Sequence, residues 1–462
     1  MIYFKDKTIH FIGIGGIGMS AIAESLHYMG IRVQGSNNIE NANCDRLRQK
    51  GIPVFIGHTD FSHLDKVDVA IISSAIQPDN PELAEVRRRG IPVGHRAEML
   101  AELLRYKKGI AVSGTHGKTT TTAMISEMLN RAGLDPSFII GGIVNSQASN
   151  ARQGKSEWMV VEADESDGSF LKLPKTVSVV TNIDPEHMDH YGSFDNMKNA
   201  YQFFMETTTF YGFVCACSDH PVVKEIVSKI KTRRVLTYGF QEDARLRAVH
   251  VRVMPGRLLF DVRLGETVYD GFELNMFGRH NILNALAAIT IGLELHIPVD
   301  VMRKALAGFG GVQRRFTKTG CSHGITVYDD YAHHPVEIEA VLKAAKEATP
   351  GHKVVALFQP HRYSRALDLA DEFATCFKDA DTVIVADIYA AGEKPLPMIS
   401  KDILVQKIKA AGHPSVYALD SCQTLPAFVL DHVSNGDVII GLGAGDISKW
   451  MHDLPRQLDK ME

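Results

Sequence analysis

The residues Ser113–Thr120 (SGTHGKTT) have the types and spacing that bind the phosphates of a nucleotide. They follow an apolar run, Gly109–Val112, that predicts a strand, and they lead into a predicted helix over Thr120–Asn130. In such a turn, backbone N–H groups approach phosphate oxygens, a lysine reaches the β- and γ-phosphates, and a hydroxyl binds Mg²⁺. Only the first glycine of the full motif is replaced, by Val112. The candidate ATP-binding residues are Gly114, Thr115, His116, Gly117, Lys118, Thr119 and Thr120.

The alternative interpretation of this segment is a solvated lysine at a helix N-terminus. That arrangement is unfavourable, because a cation lies beside the positive end of the helix dipole unless an anion is bound there. Consecutive threonines are also poor helix formers, so helix propensity alone does not explain the sequence. The phosphate-binding interpretation is favoured.

Two predicted strands end in acidic residues and histidine. Trp158–Val161 is followed by four carboxylates within Glu162–Asp167, and Val177–Ile183 is followed by Asp184–His190. Strand ends that carry such groups beside a phosphate loop favour the binding of a hard divalent cation such as Mg²⁺. For any single residue the alternative is a solvated loop charge or a helix cap.

The first glycine loop along the chain, Gly13-x-Gly15-x-x-Gly18, follows the predicted strand Thr8–Ile12 and opens a helix; the loop Ser113–Thr120 is the second. This context suits a diphosphate, which binds backbone N–H groups and the helix N-terminus. An NAD site also needs an acid at the end of the second strand, and the sequence there, Val33–Asn38, has none. We therefore expect a diphosphate ligand other than NAD. A tight turn without a ligand is the weaker alternative, since three glycines cost conformational entropy.

The C-terminal part of the chain carries basic residues at strand ends. Arg362 and Arg365 follow the predicted strand Val354–Phe358. Guanidinium groups can donate paired hydrogen bonds to a carboxylate. Arg314 and Arg315 are either the solvated charges of a linker or ligands of a phosphate. The pair His333-His334 lacks the spacing of a structural zinc site.

Strands and helices alternate along the chain in three blocks, which predicts an α/β protein with parallel sheets. We place the domains at residues 1–108, 109–313 and 314–462. The second block ends in a long predicted helix, Asn281–Leu295, whose first residue is either a helix cap or a ligand. Residues 213–275 are rich in predicted strands, and we expect them to form a small extra sheet.

Composition excludes several classes of protein. The chain has 462 residues with 50 Lys plus Arg, 54 Asp plus Glu and a net charge of −4, so the basic excess of a nucleic-acid or membrane-surface binder is missing. No run approaches the roughly 20 apolar residues of a membrane span. Six scattered cysteines are typical of a reducing compartment. We expect a cytoplasmic enzyme without nucleic-acid or membrane partners.

In combination these motifs resemble the Mur ligase family, and the resemblance covers all three blocks. The matching stretches are Gly13–Ser20, Gly114–Thr122 (GTHGKTTTT), Glu162–Phe170, Asn182–Tyr191, Gly278–Ala288, Asp329–Glu337, Phe358–Arg365 and Tyr389–Glu393. The loop GTHGKTTTT is similar to that of the member that adds the first amino acid. The resemblance implies a Rossmann-like first domain that binds a UDP-sugar, a central ATPase domain of the P-loop type, and a Rossmann-like third domain that brings the amino acid.

The resemblance also implies an activity: ligation of L-alanine to UDP-N-acetylmuramate with ATP and Mg²⁺, for cell-wall synthesis in the cytoplasm, by a monomer or homodimer. The resemblance also implies roles for individual residues of this chain. For the UDP-sugar these are Gly15, Gly16, Ile17, Gly18, Ser73 and Arg96, and for the metal they are Thr119, Glu162 and His187. For the nucleotide they are Lys118, Asn281, Arg315 and Asp330. We expect Arg362 and Arg365 to orient either the alanine carboxylate or the acyl phosphate, and His333 to position the amine. The family has Ser-Asp where this chain has Ser36-Asn37.

Three alternatives remain open at this stage. A sibling ligase would add another amino acid or a preformed tripeptide. An NAD-dependent oxidoreductase would use only the first glycine loop and would leave Lys118, Glu162 and His187 unexplained. A nucleotide-binding regulator would keep the fold without turnover.

Overall fold

The computed structural model describes residues 4, 6–147, 149–254 and 256–461. Within this part of the chain the strands form three sheets, and helices connect most successive strands. The α/β class predicted from the sequence is confirmed. None of the described helices combines the length and the apolar character needed to cross a bilayer.

Internal contacts divide the molecule into two compact units. The first contains most of the chain up to Val249, together with Asp261–Phe272 and Leu283–Gly310. The second contains His250–Phe260, Glu273–Ile282 and the residues from Gly311 on. The two glycine loops belong to the first unit, and the arginine-rich strand ends belong to the second.

The N-terminal sheet has the strand order β3-β2-β1-β4-β5, and its paired strands run parallel. Its strands are β1 (Thr8–Ile12), β2 (Arg32–Asn37), β3 (Val54–Ile56), β4 (Val69–Ile72) and β5 (Val93–His95). Its helices are α1 (Ile17–Tyr28), α2 (Ala42–Gln49), α3 (Pro81–Arg88) and α4 (Arg96–Leu104). Strands β2 and β3 are added on one side of β1, and β4 and β5 are added on the other side. Ligands of such sheets bind at the carboxyl ends of the strands where this change occurs.

The central sheet has the order β15-β14-β13-β12-β11-β10-β6-β9-β7-β8. Its strands are β6 (Lys108–Ser113), β7 (Ser137–Val144), β8 (Ser149–Arg152), β9 (Trp158–Glu162), β10 (Val177–Val180), β11 (Phe213–Cys217), β12 (Val235–Gly239), β13 (Leu246–Met254), β14 (Arg257–Leu264) and β15 (Thr267–Leu274). Its helices are α5 (Lys118–Arg131), α6 (Met188–Tyr191), α7 (Phe194–Glu206), α8 (Pro221–Lys229), α9 (His280–Glu294) and α10 (Val299–Ala307). Strands β10 and β11 are buried along their whole length, which explains why their sequences are apolar except for Ser178 on β10.

The expectation of a separate small sheet over residues 213–275 is wrong. The segment is rich in strands, but β11 and β12 are parallel strands of the central sheet. Strand β13 then pairs with β12 over Tyr238 and Gly239, and the order of the sheet continues through β14 and β15. A sheet can grow at an open edge wherever a further strand supplies backbone partners, and sequence periodicity does not reveal which edge is used.

The C-terminal sheet has the order β16-β17-β21-β18-β19-β20, with β16 antiparallel to β17 and the other pairs parallel. Its strands are β16 (Thr317–Ser322), β17 (Ile325–Asp330), β18 (Val354–Phe358), β19 (Thr382–Val385), β20 (Val416–Ala418) and β21 (Val438–Leu442). Its helices are α11 (Pro335–Ala348), α12 (Tyr363–Asp368), α13 (Ala370–Thr375), α14 (Lys401–Ala410), α15 (Leu425–His432) and α16 (Ile447–Leu458). Apolar side chains from β17, β18, β19 and β21 pack with the helices in two buried clusters, which fix the strand ends that carry the arginines.

All six cysteines are free thiols. Cys44, Cys215, Cys217 and Cys376 are buried, Cys422 is half-buried, and Cys321 on β16 is exposed. Burial raises the pKa of the Cys217 thiol to about 12, which keeps it protonated and unreactive.

Candidate active site

The first glycine loop joins β1 to α1 and is held by the end of β2. The backbone N–H groups of Gly13 and Ile14 donate to the carbonyl of Ser36 at 2.9 and 2.8 Å. The N–H of Gly15 donates to Asn37 Oδ1 at 3.1 Å, and a Cβ on Gly15 would lie 2.7 Å from the Asn37 amide nitrogen. Asn37 therefore occupies the position expected for an acid in an NAD site, and it is engaged with the loop itself.

The outer side of this loop is open. Gly16 and Ile17 are exposed, Gly18 is half-buried, and α1 begins at Ile17. The N-terminal end of α1, with its partial positive charge, therefore faces an accessible surface where a diphosphate can bind. Ser73 follows β4, and its carbonyl accepts from the N–H of Ile76, whose side chain packs against Gly13.

Arg96, the first residue of α4, lies between the two glycine loops. Its guanidinium donates to Asp164 Oδ2 at 2.8 Å, and one of its nitrogens lies 3.4 Å from where a Cβ on Gly18 would be. Asp164 belongs to the acidic run after β9. Arg96 thus connects the first glycine loop to the acidic residues beside the second.

The second glycine loop joins β6 to α5 and is clamped from two sides. The backbone N–H of His116 donates to Asn182 Oδ1 at 2.7 Å, and Thr181 Oγ1 donates to the carbonyl of His116 at 2.6 Å. Gly117 has φ +81°, and a Cβ there would lie 2.6 Å from Asn284 Oδ1 on α9. This close approach explains the glycine, and the clamp fixes the conformation of the loop backbone.

Lys118 begins α5 and points back into the loop. Its ammonium group donates to the carbonyls of Gly114 and Thr115 at 2.6 and 3.0 Å and to Glu165 Oε1 at 2.8 Å. Burial disfavours the charge, but the carboxylates of Glu165, Asp164 and Glu162 raise the pKa of Lys118 above its usual value. Lys118 is a fixed cation in the loop.

The structure brings the predicted metal ligands together in two groups. In the first, Thr119 Oγ1 lies 3.1 and 3.0 Å from the two carboxylate oxygens of Glu162, at the end of β9. The N–H of Gly141 also donates to Glu162, at 2.7 Å, and holds this carboxylate in place. A threonine hydroxyl beside a carboxylate, next to a phosphate loop, is a fitting donor set for Mg²⁺.

In the second group, His187 Nε2 lies 4.0 Å from Glu165 Oε1 and 3.9 Å from Glu186 Oε1. One ligand atom from each of these three residues lies within 4.8 Å of the others. Glu165 Oε2 is buried and accepts no hydrogen bond from any described residue, so it has free lone pairs for a cation. His187 itself has φ +57°, a strained conformation that the surrounding structure imposes. These residues fit a second divalent ion.

The sequence interpretation did not single out Glu165 and Glu186, which the structure brings close to His187. Both lie in acidic stretches that it singled out, but four carboxylates in six residues do not show which one is turned inward. Glu165 is only 1% exposed, and burial raises its pKa while Lys118 opposes that shift. Burial is a property of the folded chain, so the composition of the run cannot reveal it.

In the second unit, Asp330 ends β17 and fixes the entry to the C-terminal domain. Its two carboxylate oxygens accept from the backbone N–H groups of Phe316 and Ala332 at 2.7 and 2.8 Å. Burial raises the pKa of Asp330 to about 6, although Arg315 opposes the shift. Asn281, on α9, donates through its side-chain amide to the carbonyl of Phe277 at 2.7 Å.

The arginines after β18 lie in a cationic neighbourhood of the second unit. Burial lowers the pKa of His361 to about 4, and electrostatic repulsion by the nearby basic side chains of His333, Arg365 and Arg362 adds to the effect. The guanidinium Nε of Arg362 donates to Glu393 Oε1 at 2.7 Å, a partner that the sequence interpretation did not assign. His333 Nδ1 lies 2.9 Å from the carbonyl of Tyr331. Arg362 and its neighbours therefore concentrate positive charge, as a carboxylate-binding site requires.

Comparisons with known proteins agree with this arrangement. Family models match residues 8–108 (Mur ligase family, catalytic domain), 112–292 (Mur ligase middle domain) and 314–445 (Mur ligase, glutamate ligase domain). A UDP-N-acetylmuramate–L-alanine ligase of Rhodospirillum rubrum is 52% identical over 460 residues, which are 98% of this chain and 95% of that protein.

Two solved structures of Thermotoga maritima proteins are similar. The UDP-N-acetylmuramate–alanine ligase superposes with a TM-score of 0.85 at 30% identity, covering 98% of this chain and 100% of that one. The MurF ligase, solved in complex with ADP, has a TM-score of 0.65 at 16% identity, covers 93% of this chain and 95% of that one, and shows the shared fold. The chain belongs to the Mur ligase family of ATP-dependent ligases.

Proposed function

We propose that this enzyme joins L-alanine to the carboxylate of UDP-N-acetylmuramate at the expense of ATP. The observation that carries the proposal is the set of groups around Lys118: a clamped glycine loop, a half-buried cation and two groups of candidate metal ligands in one unit. The identity of the two substrates is supported by relatives that are about 50% identical over nearly the whole chain.

The proposed reaction proceeds through an acyl phosphate. A carboxylate oxygen of the sugar attacks the γ-phosphorus of ATP, the bond to the bridging oxygen breaks, and ADP leaves. The amine of alanine then attacks the acyl carbon, and the tetrahedral intermediate collapses with loss of phosphate and of an amine proton. Two anions have to approach each other in the first step, so the site must concentrate positive charge.

We assign the residues of the first unit as follows. The loop Gly15–Gly18, with Ser73 and Arg96, binds the UDP-sugar, and the loop Gly114–Thr120 binds ATP, with Lys118 at the β- and γ-phosphates. Thr119 and Glu162 would hold one Mg²⁺ and His187, with Glu165 and Glu186, a second. When bound, these ions neutralise the charge of the triphosphate and of the acyl oxygens. The arrangement of Thr119 against Glu162 and the free oxygen of Glu165 support these assignments.

In the second unit we assign Asn281, Arg315 and Asp330 to the nucleotide, and Arg362, Arg365 and His333 to the amino acid. The positive charges around His361 support a site for the alanine carboxylate. The corresponding domains are 1–108, 109–313 and 314–462, as the ranges of the three family models support. The nucleotide substrates and the free thiols support a cytoplasmic location.

The proposal is tested by phosphate release from ATP and Mg²⁺ with UDP-N-acetylmuramate and one amine at a time: glycine, L-serine, L-alanine, D-glutamate or a tripeptide. We expect release that depends on both the sugar nucleotide and L-alanine. Release with the tripeptide alone would instead indicate a peptide-adding sibling. Omission of Mg²⁺ should abolish release, and activity that persists in EDTA would contradict both metal assignments.

A further inference from the structure

A buried carboxylate, Glu82 at the start of α3, lies among three histidines in the N-terminal domain. Glu82 Oε1 lies 2.9 Å from His10 Nε2 and 2.7 Å from His63 Nε2. Glu82 Oε2 lies 2.6 Å from His58 Nδ1 and 2.5 Å from Ser36 Oγ. Glu82, His10 and Ser36 are fully buried. We call these five residues the Glu82 cluster; neither glycine loop includes any of them.

The hydrogen bonds around His10 determine which atoms carry protons. Gln34 Nε2 donates to the carbonyl of His63 at 2.7 Å, which fixes the orientation of the Gln34 amide. The same nitrogen faces His10 Nδ1 at 3.4 Å, so Nδ1 is an acceptor and the proton of this ring is on Nε2. The ring therefore donates to Glu82, and burial lowers the pKa of His10, which keeps the ring neutral.

Glu82 thus accepts hydrogen bonds from four side chains as an ionised carboxylate. Burial opposes the charge, but the bonds from His10, His58 and His63 hold the pKa of Glu82 well below its usual range. The ligand atoms of His10, His63 and Glu82 also lie within 4.8 Å of one another, a spacing compatible with a metal ion. A ring nitrogen that carries a proton cannot bind a metal, so the hydrogen bonds favour the anionic cluster over a metal centre.

Ser36 connects the Glu82 cluster to the first glycine loop. Its hydroxyl donates to Glu82, and its carbonyl accepts the N–H groups of Gly13 and Ile14. The next residue, Asn37, accepts the N–H of Gly15. A displacement of Ser36 would therefore move three backbone groups of the loop at once.

We propose that Glu82 is a positioning residue for the first glycine loop. It holds Ser36, and through the Ser36 carbonyl it holds the turn Gly13–Ile14 in the conformation that binds the diphosphate of the sugar nucleotide. Only the identity of this ligand rests on the proposed function.

The first test is Glu82→Gln, which replaces one acceptor oxygen by a donor that faces other donors. We expect the KM for UDP-N-acetylmuramate and the Kd for UDP, measured by calorimetry, to rise about tenfold, which corresponds to about 1.4 kcal/mol. The KM for ATP and the kcat at saturating sugar nucleotide should stay within about twofold. The matched control is Glu85→Gln, one turn further along α3, whose carboxylate pairs only with Arg88 and Arg89 among the described residues.

A second variant distinguishes an effect on the first glycine loop from an effect on folding. Ser36→Ala leaves Glu82 with its three histidines and removes the hydroxyl that contacts Glu82 and His58 Nδ1. We expect a similar rise in the KM for the sugar nucleotide, and we expect the double variant to be no worse than Glu82→Gln alone, since both changes break one connection. Additive effects would show that the two residues act independently and would overturn the proposal.

Three other results are decisive. If Glu82→Gln raises both KM values equally, or lowers only the melting temperature, Glu82 has a purely structural role. If the wild-type protein contains one equivalent of tightly bound zinc and Glu82→Gln loses it, the Glu82 cluster is a metal site and the proposal is wrong. If the wild type binds UDP but shows no turnover with UDP-N-acetylmuramate, weaker UDP binding by Glu82→Gln still supports the positioning role while the proposed function fails.

Discussion

At the residue scale, the site depends on a small number of charges that the fold holds away from water. Lys118 is the clearest case, because its side chain is 14% exposed and its ammonium group contacts two carbonyls and Glu165. A lysine held in this way loses little conformational entropy when a phosphate replaces one of those acceptors. The same contacts make the residue hard to replace.

Lys118→Ala should therefore abolish turnover, by at least about a thousandfold, because the transferring phosphoryl group loses its fixed cation. Binding of UDP-N-acetylmuramate, measured by calorimetry, should change by less than about threefold. Lys229→Ala is the control, since that lysine forms an exposed pair with Glu225 on α8 that contributes little. Normal turnover by Lys118→Ala would refute the assignment of the ATP site.

At the element scale, the two ends of α5 show what a glycine contributes. Gly117 precedes the helix with φ +81°, and Gly133 follows it with φ +76°. A Cβ on Gly117 would collide with Asn284 Oδ1, whereas nothing lies within 4 Å of a Cβ on Gly133. The backbone strain of a substitution is thus similar at both positions, and only one position adds a clash.

Gly133→Ala should lower the free energy of unfolding by about 1 kcal/mol, the cost of a left-handed conformation in a residue with a Cβ. Gly117→Ala should cost about 2 kcal/mol more and should raise the KM for ATP at least about tenfold, because the clash displaces the phosphate loop. Denaturant unfolding and steady-state kinetics of the two variants check this. Equal stability and equal KM values would show that Asn284 moves aside without cost.

The sequence predicted the strands that lead into the site because they are short apolar runs next to glycine turns. It did not predict β16, whose sequence Thr317–Ser322 has no apolar pattern and which exists by pairing with the edge of β17. It identified Glu162 but not Glu165, since the two differ in burial and not in type. The Glu82 cluster was also missed, because residues as far apart as His10 and Glu82 meet only when parallel strands bring them to one place.

At the scale of the whole molecule, Lys175 is a buried lysine among the described residues that lies outside the proposed catalytic groups. Lys175, which precedes β10, is 2% exposed, and its ammonium group donates to Thr207 Oγ1 at 2.9 Å and lies 4.3 Å from the ring centroid of Phe204. Burial lowers the pKa of Lys175 to about 7. The folded protein therefore holds this group mostly uncharged above neutral pH, while the unfolded chain keeps it charged up to about pH 10.

Because the folded-state pKa is depressed, the stability linked to Lys175 is fully present above the unfolded pKa and is lost as the pH falls towards 7. Between pH 9 and pH 7 the wild type should lose about 1 kcal/mol of unfolding free energy per pH unit relative to Lys175→Met. Guanidinium unfolding at pH 7, 8 and 9 measures the difference, with Lys229→Met as the exposed control. Parallel pH dependences for the wild type and Lys175→Met would mean that Lys175 keeps its charge in the folded state.

The uneven exposure of the thiols offers a route to site-selective labelling. A maleimide fluorophore at neutral pH should react first with Cys321 on β16, while Cys44, Cys215, Cys217 and Cys376 are shielded until the protein unfolds. Replacement of the half-buried Cys422 by serine should then leave one reactive position. A dye at Cys321 would lie in the second unit, so its fluorescence would test the proposed binding of the amino acid there without altering Lys118 or either glycine loop.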